Sequence, residues 1–202
     1  MACASRSGTD LGLEGALGLT CDVRDAAQVD AAVKTAVGEL GGLDAVVANA
    51  GVGSYGPFLE IPPEEVDAMI DVNLKGTLHT ARSTLPHLIE SKGDFISLAS
   101  VAGLRGFPGE TVYNASKFGQ LGFTRSLDHE MRELGVRVTN LCPGGVATEF
   151  AMGTGRTPDM PELEGMMSPE EVAEVAWFVV SRPKGLRMMT VSFRPMNEGS
   201  WG

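Results

Sequence analysis

Cysteine, histidine and aromatic residues are scarce in this sequence of 202 residues. It contains three cysteines and three histidines, and aromatic residues make up 6% of it. Cys3, Cys21 and Cys142 lie too far apart for a zinc-ligand spacing, and an odd number of cysteines favours reduced thiols over a disulfide framework. We therefore expect no metal site, and the cysteine usage favours a reducing compartment, the cytoplasm.

Excess positive charge and long hydrophobic runs are lacking as well. The chain has 16 Lys and Arg against 26 Asp and Glu, which gives a net charge of −10 at pH 7. Nucleic-acid binding requires a basic surface, so nucleic acid is not an expected partner. No apolar run reaches the roughly 20 residues of a membrane span, and no signal peptide opens the sequence. We therefore expect no membrane partner either.

Short apolar runs alternate with longer segments of helical periodicity. The two longest helices are predicted over 64–91 and 113–134, and Ser168 to Glu171 has the residues of a capping box that begins a later helix. This alternation predicts a Rossmann-like α/β fold, a doubly wound parallel sheet in three α/β/α layers. No linker divides the sequence, so a single domain is predicted over 1–202. The predicted strands are 19–23, 43–50, 94–100, 136–142 and 186–193.

A glycine pattern after one of these strands requires an interpretation of its own. Gly51, Gly53 and Gly56 match G-x-G-x-x-G, the pattern of a dinucleotide-binding loop. Such a loop must also open a helix, whose N-terminus binds the phosphates. Prolines at 57, 62 and 63 follow here instead. The pattern is therefore better interpreted as a flexible loop.

Tyr113 and Lys117 lie four residues apart, so they share one face of a predicted helix. A free phenol has a pKa of about 10, and an adjacent ammonium group favours the phenolate. The pair is a plausible proton donor and acceptor. The alternative is a surface pair without a role.

Two more polar residues occupy unusual positions. Ser100 ends a predicted strand, and open α/β sheets bind ligands at the carboxyl ends of their strands. Asn73 falls on the apolar face of the helix predicted over 64–91, where a buried amide must be hydrogen-bonded. The alternatives are a turn or helix-capping serine and a structural asparagine that bends the helix.

Six segments occur in the order typical of the short-chain dehydrogenase/reductase family. From about residue 18 to 195 the chain resembles the single-domain form of that family, and Ser100 precedes Tyr113 at the family's usual interval. Ala48 replaces the first Asn of the common N-N-A-G, and Ala99 replaces a serine. The segments are DV (22–23), ANAG (48–51), DVNLKG (71–76), SLASVAG (97–103), YNASK (113–117) and PGGVAT (143–148).

The resemblance implies an NAD(P)(H)-dependent oxidoreductase that interconverts an alcohol and a carbonyl. It assigns Tyr113 as the catalytic acid and base and Ser100 as the residue that orients the substrate oxygen. It assigns Lys117 to lowering the tyrosine pKa and binding the nicotinamide ribose, and Asn73 to holding a water of a proton relay. Epimerases and dehydratases of the family carry the same pair and are a weaker alternative.

The resemblance also implies a cofactor site. It assigns Asp22 to the adenine with the Val23 backbone beside it, and Asn49 to bracing the sheet as well as lining the cofactor. Arg6 falls where NADP-preferring members carry a basic residue, so NADP(H) is favoured over NAD(H). The other implied cofactor contacts are Ala50, Gly51, Tyr113, Lys117, Pro143, Gly144, Val146 and Thr148.

The start of the sequence departs from the family pattern. Members open with a strand and a T-G-x-x-x-G-x-G loop leading into a helix, whereas residues 1–6 resemble the end of the second strand. About 30 residues are thus expected to be absent, which would leave the second and third family strands unlinked to the fourth. Three interpretations stay open: a partial sequence of an active enzyme, a truncated non-catalytic relative that acts only by protein interaction, or another segment that fills the gap.

The segment 151–167 is expected to cover the substrate. It carries four methionines, which make adaptable apolar surfaces and favour an apolar alcohol or carbonyl. Equally, these methionines could simply pack against the protein. The histidines at 79, 87 and 129 are predicted to lie on helices away from the motifs. The resemblance further implies a homodimer or homotetramer, often built from the two long helices.

Overall fold

The computed structural model describes residues 1–9, 12–160 and 163–199. The described strands are β1 (Ala2–Ser5), β2 (Leu17–Thr20), β3 (Ala45–Ala48), β4 (Asp94–Leu98), β5 (Arg137–Pro143) and β6 (Thr190–Phe193). The described α-helices are α1 (Ala26–Leu40), α2 (Pro63–Met69), α3 (Gly76–Ser91), α4 (Thr111–Met131) and α5 (Pro169–Val180). No described helix combines the length and the apolar character that a membrane span requires.

Local signals in the sequence set the ends of these helices. The Asp25 side chain accepts hydrogen bonds from the first backbone amides of α1, and Gly41 ends that helix in the left-handed region at φ 78°. The predicted capping box of α5 is confirmed, since Ser168 and Glu171 each accept a hydrogen bond from the other's backbone N–H.

All strand pairings among the described residues are parallel, and they form two sheets. β1 pairs with β2, and the second sheet has the order β3-β4-β5-β6. Within the described ranges no strand pairing joins the two sheets. The first sheet is attached through its following helix, because α1 packs on both β2 and α3.

Helices cover both faces of the four-stranded sheet. On one face α3 and α4 pack against β3, β4 and β5 around Phe95 and Leu127. On the other face α5 packs around Ile96 and Val179. Phe95 and Ile96 are consecutive in β4, so their side chains point to opposite faces and reach the two helical layers. This arrangement confirms the predicted Rossmann-like α/β class.

The helix predicted over 64–91 is one continuous run that changes type in its middle. A π-helical turn spans Ile70–Lys75 between α2 and α3, and the buried Asn73 lies inside it. Such turns are rare and occur frequently at functional sites. The prediction of a helix is correct, but periodicity alone gave no sign of this turn.

The glycine-rich segment after β3 is a loop, as predicted, and no phosphate-binding helix follows it. Three of its backbone amides donate hydrogen bonds to other segments: Val52 to the Asn73 side chain, Tyr55 to the Thr154 carbonyl and Gly56 to the Gly109 carbonyl. These bonds fix the loop, so the expected flexibility is not what the structure indicates.

Candidate active site

The motif residues gather at the carboxyl ends of the central strands. Asn49 follows β3, Ser100 follows β4, and Pro143 is the last residue of β5. Because the strands are parallel, these ends lie on one edge of the sheet. The 3-10 turn after β4, Val101–Gly103, packs on α4, which carries Tyr113 and Lys117.

Tyr113, Ser100 and Lys117 form one buried cluster. Their exposed fractions are 7%, 9% and 3%. Ser100 is close enough to Tyr113 to act on the pKa of its phenol, and the Lys117 Nζ lies 5.6 Å from the centre of the Tyr113 ring. Ser100 also accepts from the Ala102 N–H at 3.1 Å, so it caps the 3-10 turn as well. The structure therefore brings the three residues together.

The pKa of Tyr113 shifts in the direction opposite to the one predicted from the Tyr113–Lys117 spacing. Burial raises this pKa to about 12, and the neighbouring Ser100 hydroxyl, which acts to lower it, does not compensate. The predicted lowering of the Tyr113 pKa is therefore wrong. Removing the phenolate from water destabilises it by more than the neighbouring groups stabilise it.

Lys117 is itself strongly affected by burial, which lowers its pKa to about 7. Its Nζ donates to the Leu98 carbonyl at 3.0 Å. A Cβ added at Gly51 would lie 3.8 Å from this Nζ and 3.5 Å from the Asn73 Oδ1. The lysine is therefore positioned between the ends of β3 and β4, and it can change its charge near neutral pH.

Asn73 links three segments through its side chain. Its Oδ1 accepts from the Val52 N–H at 2.8 Å, and its Nδ2 donates to the Val52 carbonyl and the Ser116 Oγ, both at 2.9 Å. These bonds join the π-helical turn to the loop after β3 and to α4. They match the structural alternative for Asn73, and the proton-relay role is not tested by them.

The predicted adenine contacts, Asp22 and Val23, follow β2, and Arg6 follows the neighbouring β1. A side-chain hydrogen bond from Arg24 is the main reason why the Asp22 pKa is lowered to about 2, and the Arg6 charge acts in the same direction. The Val23 carbonyl lies 2.9 Å from the His79 Nδ1. His79 thus contacts a motif residue, and the prediction that it lies away from the motifs is wrong.

Asn49 and Ala50 are exposed at the end of β3, and Gly51 is half-buried. The Asn49 side chain makes no hydrogen bond with another described residue, so the predicted bracing of the sheet is not seen. Their exposure at the carboxyl edge leaves these residues accessible to a ligand.

The loop after β5 is held by residues distant in the sequence. The Gly144 N–H donates to the Phe193 carbonyl at 2.8 Å, and the Gly145 N–H donates to the Glu198 carboxylate at 2.9 Å. Further along, Val146 pairs with Met167, and Thr148 accepts from the Phe150 N–H at 3.3 Å. Glu198 therefore places an anionic oxygen on a predicted cofactor-binding loop.

Comparison with known proteins identifies the family. Residues 4–159 match the sequence profile described as short chain dehydrogenase. The chain belongs to this family. An uncharacterized oxidoreductase of Staphylococcus aureus is 35% identical over 176 residues, which cover 87% of this chain and 74% of that protein.

Solved structures of a dehydrogenase and a reductase share the fold. An alcohol dehydrogenase from Thermococcus sibiricus, complexed with 5-hydroxy-NADP, has a TM-score of 0.84 at 29% identity, with 93% of this chain and 77% of that chain covered. A 3-ketoacyl-(acyl-carrier-protein) reductase from Brucella melitensis, complexed with NADH, has a TM-score of 0.83 at 25% identity, with 95% and 85% covered. These relationships support an oxidoreductase.

Several residues of this short chain dehydrogenase surround Tyr113 without having been predicted from the sequence. The rings of Tyr55 and Phe150 pack on the Tyr113 ring, with centroid distances of 5.6 and 5.7 Å. Glu110 and Arg156 are close enough for their charges to act on the Tyr113 pKa, Glu110 raising it and Arg156 lowering it. Tyr55, Phe150 and Arg156 come from loops distant from Tyr113 in the sequence, and no spacing rule connects them to it, whereas Glu110 is the N-cap residue of α4, three residues before Tyr113.

Two of the four methionines in the segment 151–167 favour the interpretation that they simply pack against the protein. Met167 is buried and pairs with Val146, and Met166 packs on Gly145. They pack against the loop after β5, and positions 161 and 162 of the segment lie outside the described residues. The methionines are therefore weak evidence for an apolar substrate.

Proposed function

We propose that this chain is an NAD(P)(H)-dependent oxidoreductase that interconverts an alcohol and a carbonyl compound. The observation that carries the proposal is the buried cluster of Ser100, Tyr113 and Lys117 at the carboxyl edge of the sheet. Family membership and the solved relatives that hold NADP or NADH compounds support the same reaction class.

The residues around this cluster are suited to a nicotinamide cofactor. The Gly145 N–H already binds an anionic oxygen, that of Glu198, so the loop after β5 suits a negatively charged group. Asn49 to Gly51 would line the cofactor at the end of β3, and Pro143 to Thr148 would hold it at the end of β5. Asp22 and Val23 would hold the adenine. Nicotinamide, when bound, supplies or accepts the hydride.

Tyr113 exchanges the proton on the substrate oxygen, and Ser100 orients that oxygen. The raised pKa of Tyr113 keeps the phenol protonated at neutral pH, which suits it to donate a proton as a carbonyl is reduced. Lys117, with a pKa of about 7, can then return a proton to the site, and Asn73 would hold a water on that route. Reduction thus adds a hydride to carbon and a proton to oxygen.

NADP(H) is the cofactor we propose over NAD(H). Arg6 directly follows β1, is exposed, and acts electrostatically on the neighbouring Asp22. A guanidinium at this strand end is suited to a 2′-phosphate. A homodimer or homotetramer is also proposed, because α3 and α4 expose the apolar side chains Leu78 and Phe118. The proposed location is the cytoplasm.

The test combines cofactor binding with loss of one hydroxyl. NADPH fluorescence should change on titration of the purified chain, and Tyr113→Phe should abolish turnover of a panel of ketones and alcohols while keeping the melting temperature and NADPH affinity near those of the parent. Ser181→Ala, which removes an exposed hydroxyl beyond α5, is the control and should keep full activity. Undiminished turnover by Tyr113→Phe, or no NADPH binding by the parent, would contradict the proposal.

A further inference from the structure

Arg156 lies beside the Tyr113 site and has no part in the proposed proton transfer. Its guanidinium carbon is 6.0 Å from the centre of the Tyr55 ring and 5.9 Å from that of Phe150. The same two rings pack directly on Tyr113. The guanidinium and the proposed catalytic phenol therefore share their aromatic neighbours.

A tight turn holds Arg156 in this place. The Arg156 N–H donates to the Ala151 carbonyl at 3.0 Å, and the Gly153 N–H donates to the Arg156 carbonyl at 2.9 Å. Ala151 adopts the left-handed region at φ 62°, a costly conformation for a residue with a side chain. The Thr154 hydroxyl fastens the turn to the Gly53 carbonyl at 2.7 Å. The chain thus maintains a strained turn that presents this arginine.

Most of the hydrogen-bonding capacity of Arg156 is unused within the described part of the chain. A guanidinium has five N–H donors, and the described contact is one bond to the Val146 carbonyl at 3.3 Å. No described carboxylate forms an ion pair with it within 4.0 Å. Its distances to the two rings are at the outer limit of a cation–π contact. Structural contacts alone therefore do not explain the group.

We propose that Arg156 binds an anionic group of the substrate, so that the substrate is an oxo acid or hydroxy acid with a carboxylate near the reacting carbon. This inference rests on the function proposed above and names its substrate class. A guanidinium fork binds a carboxylate with two parallel hydrogen bonds, which fix orientation as well as affinity. The acid would be held at Arg156 while its carbonyl oxygen meets Ser100 and Tyr113.

Glu110 is an acidic side chain close enough to Arg156 for the arginine charge to act on its pKa. Burial raises its pKa, while the Arg156 charge acts to lower it. Burial therefore shifts Glu110 towards the uncharged carboxyl, which weakens its repulsion of a substrate acid. Glu198, the other acid acting on Glu110, is already bound at the Gly145 N–H.

Two matched compounds test the proposal, acetoacetate and its methyl ester. With NADPH, the parent protein should reduce the acid at least tenfold more efficiently than the ester in kcat/KM. Arg156→Met should remove about 10- to 100-fold of this preference, chiefly through the KM for the acid, and Arg156→Lys should lie between them. Arg82→Met, at an exposed arginine of α3, is the control and should keep the preference. Equal efficiency for acid and ester, or an unchanged preference in Arg156→Met, would overturn the proposal.

A second readout needs no turnover. Phenylglyoxal modifies accessible arginines, and peptide mapping follows the Arg156 site in the full chain. Acetoacetate should protect Arg156 and the ester should not, whereas Arg82 should react equally in both. Protection without turnover would support the anion site while contradicting the proposed reaction. Turnover of neutral ketones without protection would overturn the anion site and leave the proposed reaction intact.

Discussion

At the scale of single residues, burial decides the protonation of the two groups most closely tied to the chemistry. It raises the pKa of Tyr113 to about 12, so the phenol is uncharged near neutral pH, and it lowers the pKa of Lys117 to about 7. Tyr113 is then ready to donate a proton, and Lys117 is close to its midpoint for accepting or releasing one. The four-residue spacing places the two side chains near each other. It does not predict how far desolvation shifts their pKa values.

Burial of Lys117 should appear as a pH-dependent loss of stability. The unfolded chain binds this proton up to about pH 10.5 and the folded chain only up to about pH 7, so the parent's free energy of unfolding should rise with pH across that window. Lys117→Met removes the free-energy cost of burying a group that is charged in the unfolded chain. The variant should be more stable below pH 7, by on the order of 5 kcal/mol, and the difference should vanish near pH 10.5.

Urea unfolding at several pH values measures this difference. Lys34→Met, at an exposed lysine of α1, is the matched control. A difference between the Lys117→Met variant and the parent that stays constant from pH 6 to pH 10 would contradict the prediction.

At the scale of elements, the π-helical turn between α2 and α3 connects three parts of the site through one side chain. Asn73→Ala would leave the Val52 N–H and carbonyl without their partner and remove a bond to Ser116. Unsatisfied buried backbone groups cost about 1–3 kcal/mol each, so we expect a loss of about 3 kcal/mol of stability in urea unfolding.

Asn197→Ala is the control for that loss, because Asn197 is exposed and makes one hydrogen bond, to the Glu164 carbonyl. If Asn73→Ala proves as stable as Asn197→Ala, the bracing role of Asn73 is refuted.

The segment after β6 reaches back to the loop after β5. The Glu198 carboxylate accepts from the Gly145 N–H, where the proposed cofactor would place a negative charge. Glu198→Gln removes the competing charge, so NADPH should bind about tenfold more tightly, a conservative value for weakening one charged hydrogen bond. Fluorescence titration checks this, with Glu170→Gln on α5 as the control.

An unchanged or weaker NADPH affinity in Glu198→Gln would show that Glu198 does not compete with the cofactor. Because the parent is titrated beside it, that outcome differs from a chain that binds no NADPH at all.

At the scale of the whole molecule, the two ends of the strands in the four-stranded sheet have different roles. The predicted site residues follow the carboxyl ends of the strands, whereas a buried ion pair joins the amino ends. Arg137 opens β5 and Asp94 opens β4, their side chains are 5% and 4% exposed, and their closest contact is 2.6 Å. Arg137 also donates to the carbonyl of Val180, the last residue of α5, and to carbonyls that follow this helix, so it ties the helical layer to the sheet.

This separation predicts that stability and catalysis respond to different substitutions. Arg137→Met would leave the buried Asp94 with Lys184 as its remaining partner, and breaking a buried pair costs about 3–5 kcal/mol. We expect a loss near the lower end of that range, with kcat retained at a temperature where the variant is folded. Arg132→Met, at an exposed arginine after α4, is the control.

A fall in kcat for Arg137→Met without a fall in the free energy of unfolding would contradict the separate roles of the two ends of the strands. Urea unfolding and steady-state rates on the same preparation measure both quantities.

The sequence by itself determined the order and type of the elements and the positions of Ser100, Tyr113 and Lys117, because these depend on short-range periodicity, caps and fixed spacings. It did not reveal the π-helical turn at Asn73 or the direction of the shift in the Tyr113 pKa. Nor did it reveal the Asp94–Arg137 ion pair or the grouping of Tyr55, Glu110 and Arg156 around the phenol. Only the tertiary structure decided these, because desolvation and contacts between distant segments arise when the chain packs. Rules based on local sequence patterns describe neither desolvation nor contacts between distant segments.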